Sequence, residues 1–167
     1  MKNYLSNIAL ILSLLSISMQ VKAQNDAFST QATVGVTSPL LDNGIGFHLG
    51  INPAYALSDF VAIEGQLSYI YSRVTGSFLS GRTGNQHAVN LLAGGRVYLI
   101  SSEKRTHLYV NALLGGNYFQ ENMTGLSEQQ ELNLGFSVGA FVGINRLLIG
   151  LSFDTPQYVV LKVGIRL

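Results

Sequence analysis

The side chains able to do chemistry sit on segments that alternate polar and apolar residues. His48 and Asn52 belong to one, Glu64 and Ser68 to the next, Arg96 to a third, and Lys162 and Arg166 to the last. Between the first two lies a three-residue connection, Leu57-Ser58-Asp59, which predicts a hairpin whose opposite residue numbers sum to 116. That register sets His48 against Ser68 and Asn52 against Glu64. A serine beside an imidazole is half of a base-activated nucleophile, and the reaction it suggests is hydrolysis of a lipid ester. No carboxylate is clearly placed to orient His48, and the pair should face the inside of the fold, so a packed interior pair is the preferred reading.

Glu64 and Arg96 flank the segment 75–85, and pairing symmetric about its middle makes opposite numbers sum to 160. Glu64 then neighbours Arg96, with Lys162 able to reach the same carboxylate and Arg166 nearby. Asp154 is a further inward-facing charge. These groups suit a structural salt-bridge plug rather than an ion pathway, because about eight strands leave an interior just wide enough for side chains. Gly44, Gly46 and Gly50 lack the spacing of a dinucleotide fingerprint and continue as a strand. Neither a GxSxG elbow nor a phosphate-binding loop nor a zinc-ligand spacing is present, so no cofactor or metal is expected. Asn122-Met123-Thr124 matches a glycosylation acceptor by pattern alone and carries no weight.

The elements that must position these groups are eight strands, near 28–38, 44–56, 60–74, 86–99, 106–119, 131–143, 147–154 and 158–167. In the segment 60–74, Val61, Ile63, Leu67, Tyr69 and Tyr71 take one face, and Glu64, Gln66, Ser68 and Ser72 take the other. The second face is small and polar rather than charged and solvated, which suggests a barrel turned outside-in. No charge falls midway along an apolar face, where a basic side chain in mid-bilayer would cost roughly 2–4 kcal/mol. Leu67 and Leu134 are expected to meet lipid near mid-bilayer. The fold class is therefore all-β, an eight-stranded antiparallel up-and-down transmembrane β-barrel. Two long polar loops, 75–85 and 120–130, lie at one end; the turns at 57–59, 100–105 and 144–146 are short. Short turns are kept on the periplasmic side in such barrels, which would make both termini periplasmic.

Residues 1–23 carry Lys2, an apolar run from Ile8 to Met19, and Val21 and Ala23 before Gln24, the pattern of a cleaved signal peptide. The barrel domain is then 24–167, with 8 basic and 9 acidic side chains and a formal charge of −1 (8 − 9). Such a balance gives no support to nucleic-acid binding. Charged residues are 11% of the chain, against about 25% in soluble domains, too few for a fully hydrated surface. Cysteine is absent, so no disulfide framework is available.

GFHLGINPAYALSDFVAIEGQLSYIYS at 46–72, the glycine-rich strands and the terminal KVGIRL resemble the porin-like outer-membrane β-barrel family of Gram-negative envelopes, the eight-stranded group that includes OmpA and OmpX. The resemblance implies a non-enzymatic integral outer-membrane protein, surrounded by outer-membrane lipid and lipopolysaccharide and inserted as a monomer by the barrel-assembly machinery. Family members usually end on an aromatic residue; this chain ends on Leu167. The expected role is structural or surface-interacting, through loops 75–85 and 120–130. The alternative is a narrow porin-like conduit for a small or hydrophobic solute, and a lipid-ester hydrolase built on His48 and Ser68 ranks below both. A closed barrel resists detergent unfolding, so protein extracted from outer membranes should migrate differently with and without boiling. Identical migration together with solubility in plain buffer would refute the membrane assignment.

Overall fold

A computed structural model describes residues 27–40, 42–77, 83–101, 104–156 and 158–167. The segment 1–23 expected to be a signal peptide, 78–82 of the first long loop and 102–103 of one short turn lie outside the described residues. Eight strands follow in order: β1 (Phe28–Pro39), β2 (Asp42–Ala56), β3 (Val61–Ser77), β4 (Gly84–Ile100), β5 (Thr106–Met123), β6 (Gln129–Ile144), β7 (Leu147–Asp154) and β8 (Tyr158–Arg166). Each pairs antiparallel with the next, and β1 pairs with β8 to close the barrel. Tracing paired residues from Leu132 through Tyr118, Val89, Tyr69, Leu49, Val34, Val163 and Ile149 returns to β6 at Val142, a stagger of ten residues (142 − 132). Such a stagger tilts the strands by about 40°.

The alternation predicted from sequence decides which side chains go where. Val34, Val36, Phe47, Leu49, Leu67, Leu91, Leu114, Val138, Ile149 and Leu161 are exposed on the outer wall. Gln31, Thr33, His48, Glu64, Ser68, Asn90, Arg96, Asn117 and Lys162 are buried inside it. On β4 the outward apolar run extends from Val89 to Leu99. Ten residues at roughly 3.4 Å each, tilted by about 40°, rise about 26 Å, which matches an outer-membrane apolar band of roughly 25 Å. Above Val89 the outward face of β4 turns polar with His87 and Asn85. His87 Nδ1 lies 2.7 Å from the Tyr69 hydroxyl, and Tyr71 donates to Asn85 Oδ1 at 3.0 Å. Phe47 packs against both tyrosine rings, so aromatic side chains mark the upper edge of the band.

Inside, apolar layers alternate with polar ones. Ala62, Tyr98, Tyr109, Phe141 and Leu148 fill the end nearer the short turns, and Ile70, Ala88, Tyr158 and Val160 fill the end nearer the loops. Phe141 lies over two glycines: a Cβ on Gly139 or Gly150 would meet its ring at 2.5 or 2.3 Å. Only glycine lets the ring lie this close to the wall.

The loop end differs from expectation. β3 continues to Ser77, and β5 and β6 carry the 120–130 segment onward as strand, so only Thr124–Glu128 is left as a turn. These strands run 16 to 18 residues whereas β7 and β8 have 8 and 9. Asp154, the last residue of β7, pairs with Ser137. Leu134 therefore stands above the end of β7, near the top of the apolar band rather than at its middle, and Val138 is the mid-bilayer residue of β6. Replacing Leu67 or Val138 with Arg should destabilise the barrel by roughly 2–4 kcal/mol, while Glu121→Gln should change stability little. Denaturant titrations of protein folded into lipid vesicles measure both; equal effects would mean the two faces are misassigned.

Candidate functional site

The lumen holds two buried ion pairs. In the first, Arg96 Nε donates to Glu64 Oε2 at 2.9 Å. The same carboxylate accepts from Asn52 Nδ2 at 2.8 Å and Asn111 Nδ2 at 3.2 Å. The remaining guanidinium nitrogens donate to the Tyr98 hydroxyl and to Gln31 Oε1, which also accepts from the Tyr109 hydroxyl. Tyr109 lies face-on, its ring centre 4.3 Å from the guanidinium carbon. Charge, hydrogen bonds and stacking are all satisfied at one buried point, the condition under which burying an ion pair is tolerable.

In the second, Lys162 Nζ lies 2.8 Å from Asp154 Oδ2, and Ser137 donates to Asp154 Oδ1 at 2.6 Å. Lys162 thus pairs with Asp154 and not with Glu64 as expected. On β8 it stands opposite Gly35 of β1 and Gly150 of β7, and its long side chain reaches Asp154 at the end of β7. Arg166 enters neither ion pair among the described residues and is half-buried opposite Gln31.

Two register corrections follow. Leu57 N–H donates to Val61 O at 2.9 Å, and the Ser58 hydroxyl accepts from the N–H groups of Phe60 and Val61. The tight loop is therefore Ser58-Asp59-Phe60, one residue later than expected, held by its serine. Partners move by two: His48 faces Ile70, Ser68 faces Gly50, and Glu64 faces Ala54. Between β3 and β4, Glu64 faces Gly94 and Arg96 faces Ala62, again a shift of two. A shift of two keeps every side chain on its own face, so Asn52, Glu64 and Arg96 still meet, as diagonal neighbours.

The same shift separates His48 from Ser68. Ser68 accepts from Gln66 Nε2 at 3.0 Å, and neither ring nitrogen of His48 has a hydrogen-bond partner among the described residues. Asp154, which the sequence leaves unassigned beside His48, lies 3.8 Å from its Nε2 and is already taken by Lys162. The serine-to-imidazole bond of an activated nucleophile is not formed, and both side chains are enclosed by the wall. Among the described residues no cluster of three or more His, Cys, Asp and Glu could hold a metal.

Glu64→Gln leaves Arg96 buried without its counter-charge and should cost about 3–5 kcal/mol; Glu64→Gln with Arg96→Gln should recover part of it. A double-mutant cycle should find coupling for Glu64 with Arg96 and for Asp154 with Lys162, but additivity for Glu64 with Lys162. Coupling in the last cycle would contradict the separation of the two pairs.

No family model matches the chain, and no curated protein does. Solved structures do. Neisserial surface protein A superposes with a TM-score of 0.54 at 18% identity, covering 85% of this chain and 97% of that one. Ail, the attachment invasion locus protein of Yersinia pestis, solved with the heparin analogue sucrose octasulfate, gives 0.53 at 15% identity, covering 84% and 97%. Likeness at these identities is likeness of fold, and it joins the apolar outer wall, the band height and the plugged lumen. The chain is an eight-stranded transmembrane β-barrel with the fold of the OmpA- and OmpX-like outer-membrane proteins.

Proposed function

We propose that the protein is a non-enzymatic outer-membrane barrel that works at the cell surface, with lipid and lipopolysaccharide around its wall and both termini in the periplasm. The observation that carries this reading is the height of β3 to β6 above β7 and β8. A barrel needs no more strand than the bilayer requires, about 9–11 residues each. The additional turns of β5 and β6 keep a regular sheet where flexible loops would suffice for closure. Leu132 and Leu134 are 81% and 71% exposed on that sheet, an apolar display that suits contact with another molecule. The conduit reading has less support, since Arg96, Tyr109, Tyr158 and Lys162 fill the lumen.

The test shortens the hairpin, joining Phe119 to Glu131, which pair across β5 and β6, through Asn-Gly so that the membrane-spanning strands stay intact. Cells carrying the shortened barrel should lose binding to surfaces or partner cells while keeping the envelope barrier to bulky antibiotics. Unchanged adhesion, with barrier function lost instead, would move the role from surface contact to envelope integrity. Conductance of the full barrel in planar bilayers should stay at baseline.

A further inference from the structure

The short-turn end of the barrel gathers positive charge on one side. Asn145, in the left-handed region at φ 56°, and Arg146 make the turn between β6 and β7. Arg166 N–H donates to Arg146 O at 2.7 Å, one step beyond the ladder pair Leu147 and Ile165, so the two arginines are cross-strand neighbours. On the other flank Asn145 N–H donates to Arg105 O at 2.7 Å, which brings Arg105 and the adjoining Lys104 of the β4–β5 turn alongside. Like charges set opposite each other on paired strands repel, so this placement carries a cost that something must offset.

No protein group described offsets it. None of Lys104, Arg105, Arg146 and Arg166 forms an ion pair among the described residues. Gln31 Oε1, the acceptor opposite Arg166 on β1, already takes bonds from Arg96 and from the Tyr109 hydroxyl. Asp59, on the β2–β3 turn, is separated from β8 by β1 and β2. A further open group stands on the wall just inside. His107 pairs with Gly143, Gly143 with Leu148, and Leu148 with Gly164, the inward residue before Arg166. The His107 ring lies over Gly143, and its Nδ1 is buried with no hydrogen-bond partner among the described residues. The lipid-facing wall ends at the same level, with Ile144, Leu147 and Ile165 exposed, so the arginines stand where headgroups begin.

We infer that this mouth is an anion site that takes up a phosphate group between Arg146 and Arg166, with Arg105 adding a third charge. Two planar guanidinium forks need more acceptor oxygens than a carboxylate offers, and a phosphate supplies them. A hydrogenphosphate has a donor as well as acceptors, so His107 Nδ1 can bond it in either tautomer. The phosphate has two sources: free in solution, or in the headgroup of a lipid in the leaflet that the short turns face. The inference stands apart from the surface role, which belongs to the opposite end of the barrel.

The test keeps the full barrel in uncharged detergent micelles, with isotope-labelled arginine side chains whose Nε–H resonances are followed. One arm adds inorganic phosphate. The other adds short-chain phosphatidylglycerol, with the matching diacylglycerol, which lacks phosphate, as its control. The Arg146 and Arg166 resonances should shift saturably, and affinity should fall about tenfold in Arg146→Gln, an exposed turn position, and further when Arg166→Gln is added. Arg146→Lys, which keeps the charge and loses the fork, should fall between wild type and Arg146→Gln. Arg73→Gln, an exposed arginine towards the loop end, should leave affinity unchanged. Saturation by inorganic phosphate alone assigns a soluble ligand, and saturation by phosphatidylglycerol alone assigns a lipid headgroup. No saturable shift in either arm overturns the site. So does an equal response to diacylglycerol, which would make the contact apolar, or an equal loss in Arg73→Gln, which would make it diffuse charge attraction.

Discussion

In the hydrocarbon of a bilayer no water is available to bond a peptide group, so every N–H and C=O that enters must find its partner in the chain. For strands this is met only by closure, and here the pairing of β1 with β8 from Gln31 opposite Arg166 to Pro39 opposite Tyr158 supplies it. The other features answer to that step. Closure at eight strands with a stagger of ten residues sets a narrow bore, and a narrow bore forces every inward side chain into contact with others. Glycines at Gly139 and Gly150 then become necessary, because the Phe141 ring would otherwise have no room against the wall.

The lumen is a protein core in which two apolar layers enclose polar groups that are paired and hydrogen-bonded. Arg96 is fully buried and surrounded by Glu64, Gln31, Tyr98 and Tyr109. In that position a charge is tolerable because each of its three nitrogens donates to an acceptor and its face has a ring. Asp154 and Lys162 repeat the arrangement with fewer bonds, nearer the loops. Several hydroxyls on the same wall, those of Thr33, Thr37 and Ser72, and both nitrogens of His48 have no hydrogen-bond partner among the described residues. Polar groups so placed in natural proteins are commonly met by ordered water. The interior is thus tightly bonded around Glu64 and more loosely bonded around His48.

How much of this was legible in the sequence depends on the kind of information involved. The period of two along β3, from Val61 to Ser72, identifies inward and outward faces because lipid and lumen impose opposite chemistry on neighbouring residues. Register was harder. The choice between Leu57-Ser58-Asp59 and Ser58-Asp59-Phe60 turns on a serine hydroxyl bonding two backbone N–H groups, and both choices leave the same residues inside. Glu64 and Arg96 tolerate that error, since long side chains meet diagonally as well as directly. His48 and Ser68 do not. The partner of Lys162 was not legible at all: its ladder partners are Gly35 and Gly150, so the register names no carboxylate for its long side chain to reach. Sequence signals for the protruding sheet were present in the alternation through Gln130, Leu132 and Leu134, and were obscured because the polar residues around them read as loop.

Where the demand for pairing ends, the character of the sheet changes. Up to the end of β7 each strand has two neighbours, and both ion pairs of the lumen are closed. Above β7 the wall continues through β3 to β6 with one edge unmatched, and the carboxylates there are met by amides instead of cations. Soluble proteins usually protect such an edge with a bulge, a proline or a lysine, because an open edge invites another strand. From Gln129 to Gly135 none of these is present: the residues are Gln, Gln, Glu, Leu, Asn, Leu and Gly. Glu131 gives partial protection, since a charged side chain on an edge disfavours pairing with another strand.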